Sequence, residues 1–247
     1  MKTEINNLKT IFNNIKNKDF NKSLREGYTS IGFTFETLLN KNEDNHSLPD
    51  YNGIEIKTKL GYSKSPLTLL TITPKKDNDR ASKYLLENFG YPNRNLKYKS
   101  FRTDVYVNKN NIVANKYIIR LKIDYENNTL KLIILDLDLN IINDTIYWNL
   151  NDIKIRLETK LNYLALIKGY QYKKNDETYY KYTNLKIYKL KNFDNFIKLL
   201  ENNKIYITFN IGYFRTGKRV GEIHDRGTAF RISTDNIGEL FTLIDKV

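Results

Sequence analysis

Pro49-Asp50-Tyr51-Asn52-Gly53-Ile54-Glu55-Ile56-Lys57 is a proline-led acidic turn running into a short apolar strand. Side chains of a strand alternate between faces, so Glu55 and Lys57 share one face while Ile54 and Ile56 occupy the other. One face can anchor in a core while its opposite presents charge. The carboxylates of Asp50 and Glu55 offer hard oxygen ligands for Mg²⁺, and the Lys57 ammonium can hold a phosphate or help deprotonate an attacking water. The stretch reads as a centre for cutting phosphodiester bonds. A lysine-rich chain also produces Glu-x-Lys by accident, as a surface strand whose ion pair contributes little. That alternative gives no role to Pro49, which fixes the backbone before Asp50, or to Gly53, which allows a tight entry to the strand.

The wider composition narrows the chemistry. With no cysteine and only two histidines among 247 residues, thiol nucleophiles, disulfides and a Cys/His zinc cage are excluded, so any metal is held by oxygen. An apolar share of 40% supports a substantial core, expected as one compact body with a subdomain. No apolar run approaches the roughly 20 residues that span a bilayer, and the start of the chain reads as a polar helix, so the expectation is a cytoplasmic protein with no membrane partner. The net charge of +13 is spread along the chain, which suits a folded surface meeting a polyanion. A lysine-rich proteome accounts for that charge equally well.

Helical spacing of Ile5, Leu8, Ile11, Phe12 and Ile15 predicts a helix over residues 2–16, and a second over 28–39 carries Glu36. An Asn- and Asp-rich loop at 40–47 leads to the acidic strand. The β-rich run 67–73 is the expected sheet neighbour of that strand, followed by a helix over 77–89. Runs 103–107, 112–125 and 129–139 read as a meander. A helix at 150–161 then precedes two long strands, 163–172 and 179–190, which form a Tyr- and Lys-rich hairpin arm. A helix at 193–200, strands at 204–209 and 228–233, and a closing helix at 236–243 complete the chain.

Other candidates have competing readings. Glu36 can reach the same metal or simply face solvent. Asp136 and Asp138 alternate with leucines as any half-buried strand does, and read as a solvated face. From Gly212 to Arg231 the chain holds Tyr213, Arg215, Lys218, Arg219, His224, Asp225, Arg226 and Arg231. Arginine forks match guanine O6 and N7, Asp can accept from cytosine N4, and glycines allow close backbone approach, so this loop suits base reading. A basic loop that touches phosphate alone is the alternative. His224 can read a base or sit bonded to a neighbour. Gly217-Lys218 lacks the Ser/Thr and upstream glycine spacing of a P-loop, which excludes that route to ATP.

With Gly32-Phe33-Thr34-Phe35-Glu36-Thr37-Leu38-Leu39 ahead of Asp50, Glu55 and Lys57, and Gly-Thr-Ala-Phe-Arg near the end, the chain resembles the MvaI/BcnI restriction endonucleases. These belong to the MutH-like branch of the PD-(D/E)xK nucleases. The resemblance implies an α/β (α+β) fold, a mixed central sheet flanked by helices, with a catalytic lobe at about 1–145 and a DNA-recognition lobe at about 146–247 that clasp the duplex. It implies Mg²⁺ on Asp50 and Glu55, Lys57 assisting the water and Glu36 supporting the site. It further implies a monomeric Type II enzyme, without an obligate protein partner, that nicks double-stranded DNA twice at a nearly palindromic site such as CC(A/T)GG. A MutH-like repair nickase and a non-catalytic DNA-binding protein are the rival readings.

Overall fold

The computed structural model describes residues 1–39, 48–77, 79–92 and 98–247; the expected loop at 40–47, with His46, lies outside them. In chain order the first elements are α1 (Lys2–Lys16), β1 (Asn21–Lys22), α2 (Ser30–Leu38), β2 (Ile54–Leu60), β3 (Leu67–Thr71), α3 (Ala81–Phe89) and β4 (Tyr91–Pro92). The meander follows as β5 (Lys99–Val105), β6 (Asn111–Val113), β7 (Tyr117–Asp124), β8 (Thr129–Leu135) and β9 (Ile141–Asn149). Then come α4 (Leu150–Leu161), β10 (Tyr163–Lys174), β11 (Glu177–Leu190), α5 (Phe193–Glu201) and β12 (Ile205–Tyr213). The chain closes with β13 (Ile223–Asp225), β14 (Ala229–Ile232), α6 (Ile237–Leu240) and β15 (Phe241–Lys246).

Two compact units share these elements. One comprises Met1–Ser65, Arg156–Asn192 and Ile237–Val247; the other comprises Pro66–Ile155 and Phe193–Asn236. The units are interleaved along the chain, so the expected border near residue 145 falls inside a continuous segment of the second.

In the first unit, β1, β11, β10 and β2 lie side by side, with β15 also on β11. The apolar stripe of α1 (Ile5, Leu8, Phe12, Ile15) and the Ile31 and Phe35 face of α2 cluster with Ile54, Ile56, Ala165, Ile167, Leu185 and Ile187. The Phe35 ring meets Tyr182 edge-on at 5.0 Å, and the Tyr182 hydroxyl donates to the Ile31 carbonyl at 2.9 Å, so this buried phenol satisfies its polar end. The alternation predicted for β2 is therefore real: its isoleucines enter this core and Glu55 and Lys57 turn to the other face.

The second unit holds a six-stranded sheet, ordered β3, β14, β12, β5, β4 with β13 also on β12, and the four-stranded meander β6 to β9. Trp148 anchors it, 5.9 Å from the Phe230 ring, with its indole N–H donating to the Ile72 carbonyl at 2.9 Å.

The expected run 112–125 is broken at Ala114 and Asn115, which take positive φ and turn β6 back on β7, and three further expectations fail for physical reasons. The 67–73 run does not neighbour β2: β3 pairs antiparallel with β14, and β2 pairs parallel with β10, with Glu55 beside Leu164 and Lys57 beside Leu166. A parallel partner needs a long crossover, which local sequence does not announce. The 129–139 strand stops at Leu135, because Asp136 turns back to accept hydrogen bonds from the Asn140 backbone and side chain. The closing helix is cut to one turn, since β15 gains ladder hydrogen bonds along the β11 edge from Phe241 onward. Among the described residues no helix is long and apolar enough to cross a membrane.

Candidate active site and base-reading face

The acidic turn is built by its own backbone. Asn52 and Gly53 both take positive φ, 43° and 87°, which closes Tyr51 back on Ile54 through paired backbone hydrogen bonds. Asp50 then lies over the strand start, where its Oδ2 accepts the Ile56 N–H at 3.0 Å. Glu55 follows, with only 1% of its side chain exposed. Lys57 Nζ donates to Glu55 Oε1 at 2.5 Å, while Glu55 Oε2 is buried without a hydrogen-bond partner. Burial pushes the Glu55 carboxyl above its ordinary range; Lys57 opposes the rise, the Asp50 charge adds to it, and Lys160 opposes it.

Lys57 compensates one oxygen of this buried carboxylate, while the other oxygen and the nearby Asp50 charge leave a position that a further cation would stabilise. The donor set is two hard oxygens, so these residues fit Mg²⁺ and do not suit a soft metal. Among the described residues, no group of three His, Cys, Asp or Glu side chains gathers as a metal cage. Glu36 is accordingly not grouped with Asp50 and Glu55; it sits half-buried on α2 near Tyr182, whose phenol is pushed up chiefly by burial and then by the charges of Tyr180 and Glu36.

Stability carries a testable sign. A carboxyl whose folded pKa is raised contributes stability below its unfolded pKa and loses it as pH rises through the folded value. Metal-free protein should therefore weaken as pH rises past the ordinary carboxylate range, and Ca²⁺ should raise Tm more at pH 8 than at pH 5. Scanning calorimetry with and without Ca²⁺ reads this directly, and an equal shift at both pH values contradicts it.

Lys160 is a residue the sequence reading missed. It lies in the last turn of α4, with Nζ 3.4 Å from Glu55 Oε1, so two ammonium groups face one carboxylate oxygen. Only the parallel pairing of β10 with β2 brings it there, and nothing in its local sequence marks it.

The arginine-rich segment belongs to the second unit. Gly217, Gly221 and Gly227 all take positive φ, which lets the chain turn tightly between β12 and β14. His224 stacks on Phe214 at 3.9 Å with rings 5° from parallel, and Arg219 covers Phe214 at 4.4 Å while bonding Glu222 at 2.6 Å. Asp225 is occupied in the turn, accepting from the Gly227 N–H and the Thr228 hydroxyl. Tyr213 packs on Tyr98, while Arg215, Lys218 and Arg226 are exposed. Burial, with the charges of Arg226 and Arg219, holds His224 below the usual imidazole range, so it is neutral at pH 7.

Register gathers part of this set on one sheet face. His224 pairs with Gly212 and Arg231 with Tyr206, so both share a face with Asn210, which alternates with them on β12. On that face Asn210 Oδ1, His224 Nδ1 and Arg231 Nε are all buried without a partner. Buried polar atoms are nearly always satisfied, so three of them without a partner on one face make that face the candidate for base reading. Asn210 was missed because the expected strand stopped at residue 209. The alternation of Ile205, Ile207, Phe209 and Ile211 continues past that point, and following it places Asn210 on the polar face.

An acidic turn leading into a strand that carries Glu55 and Lys57, on an α/β sheet, is the arrangement of the PD-(D/E)xK nuclease fold. The model of the MvaI/BcnI restriction endonuclease family matches residues 9–241, and the chain belongs to that family, a Type II site-specific endonuclease. Among solved structures, restriction endonuclease MvaI in complex with its cognate DNA substrate is 31% identical, with a TM-score of 0.89 over 99% of this chain and 98% of that one. MvaI in the absence of DNA matches over the same shares with a TM-score of 0.62. No curated protein matches the chain. Family membership sets aside the non-catalytic reading.

Proposed function

We propose that this endonuclease uses Mg²⁺ to hydrolyse both strands of duplex DNA at a short, nearly palindromic site, as a monomer that nicks the strands in turn. The resemblance to its family suggests CC(A/T)GG as that site. The observation that carries the reading is the buried Glu55, with one oxygen held by Lys57 and the other unpartnered beside Asp50. Mg²⁺ held by Asp50 and Glu55 would supply Lewis acidity at the scissile phosphate and offset charge on the leaving oxygen. Lys57 orients Glu55 in the resting site and holds the attacking water or takes its proton. The family resemblance gives Glu36, which stands on α2 outside the Asp50–Glu55 pair, a supporting role. The Asn210, His224 and Arg231 face reads bases, with Arg215, Lys218, Arg219 and Arg226 adding positive charge from the loop and Asp225 holding the turn that presents it. A purified monomer that linearises supercoiled plasmid with Mg²⁺ and without any protein partner supports this reading. Nicking that stops at open circles until another protein is added supports a repair nickase instead.

Lys160 acts in this scheme as a positioning residue, since it reaches the Glu55 carboxylate from a second element. Lys160→Met should raise the Mg²⁺ concentration for half-maximal cleavage by about tenfold and move the acid limb of the pH–rate profile upward, because one charge opposing protonation is gone. Lys160→Arg should restore both, and a fall in rate with neither shift contradicts the role.

A further inference from the structure

The face of β2 that carries Glu55 and Lys57 continues along its neighbour strand beyond the site. Leu164 and Leu166, beside Glu55 and Lys57, are buried; the same face then presents Lys168, Tyr170, Tyr172 and Lys174. Across the hairpin, Lys181 pairs with Tyr170, and Phe20 packs on Tyr172 at 5.3 Å. Just past the end of β2, a Cβ built on Gly61 would lie in ordinary van der Waals contact with the Tyr170 ring at 3.5 Å, which places that ring beside the strand end.

We propose that this face of the β10–β11 arm is a second DNA contact, a track that grips the backbone of duplex flanking the phosphate to be cut. The proposal rests on the endonuclease reading and adds a surface to it. Tyr170, Tyr172 and Phe20 are 55%, 50% and 46% exposed, far more aromatic surface than a solvated arm needs. Of the acids around it, Asp19 faces Lys181 at 3.6 Å and Glu177 pairs with Lys22, while Asp176 lies in the hairpin turn at the far end. The Lys181–Asp19 pair is solvent-exposed, so exchanging Asp19 for a phosphate costs little. What remains is a positive, aromatic strip continuous with the catalytic face, and duplex DNA is the occupant its charge fits. From Lys168 to Lys174 the strand rises about 20 Å, the length of about six base pairs at 3.4 Å each.

That length sets the test. Binding of the metal-free protein to fluorescent duplexes is measured by anisotropy across a salt series, using flanks half and twice the track length around the cut site. Lys168→Ala/Lys181→Ala should lower the salt slope by about two on the long duplex, at about 0.9 per lost phosphate contact, and leave the short duplex unchanged. Tyr170→Ala/Tyr172→Ala should weaken long-duplex binding several-fold with the slope intact. An unchanged melting temperature excludes misfolding, and restoring the slope with arginine at both lysine positions confirms that charge is read. Equal losses on both duplexes, or no change in slope, overturn the track. A variant set that shows the length-dependent slope in a protein that cuts no DNA removes the nuclease reading and keeps the track; normal cutting with an unchanged slope does the reverse.

Discussion

Lys57→Ala leaves DNA bound and uncut, with single-turnover cleavage reduced by about 10³-fold or more. The size follows from two losses at one atom. The ammonium proposed to act on the attacking water disappears, and Glu55 keeps only the more distant Lys160, 3.4 Å away, to hold its carboxylate in place. With a net charge of +13 spread along the chain, loss of one ammonium should move ground-state binding of DNA by less than a factor of two. Gel-shift affinity measured beside quenched-flow cleavage separates the two effects, and a parallel fall in both contradicts the assignment. Lys57→Arg should recover little, because a planar guanidinium cannot replace a compact ammonium packed against a buried carboxylate.

Arg231→Ala erases most of the preference for the cognate site while non-specific binding holds. Arg231 stands on β14 beside Tyr206 with its Nε buried and without a hydrogen-bond partner, which makes it the first arginine to test for base contact. A well-placed arginine fork on a base pair is worth about 1–3 kcal/mol of discrimination. Competition between cognate and scrambled duplexes at fixed salt measures the ratio. Uniform weakening on every sequence shows that Arg231 touches phosphate.

Much of the catalytic half was legible because its signal is local. A period-two strand after a proline-led turn fixes which side chains share a face, and Ile54, Glu55, Ile56 and Lys57 fall as that rule requires. What escaped was long-range. The partner of β2 begins more than a hundred residues later, and Lys160 arrives only with it. On the recognition side, composition marked the arginine loop, yet its geometry reorders the candidates: Asp225 and Arg219 are committed to neighbours within the loop, whereas Arg231, His224 and the unsuspected Asn210 share a face with unsatisfied atoms. A helix was expected after residue 236 because apolar spacing in so short a segment serves a helix or an edge strand alike. Tertiary pairing with β11 decides for the strand.

The central claim, metal-dependent cutting at one short sequence, is tested most directly by digesting a plasmid with the purified protein and Mg²⁺ and sequencing the fragment ends. Discrete fragments whose ends share one short, nearly palindromic sequence, with none formed in EDTA, are the predicted result. Intact plasmid, or ends without a common sequence, contradicts it.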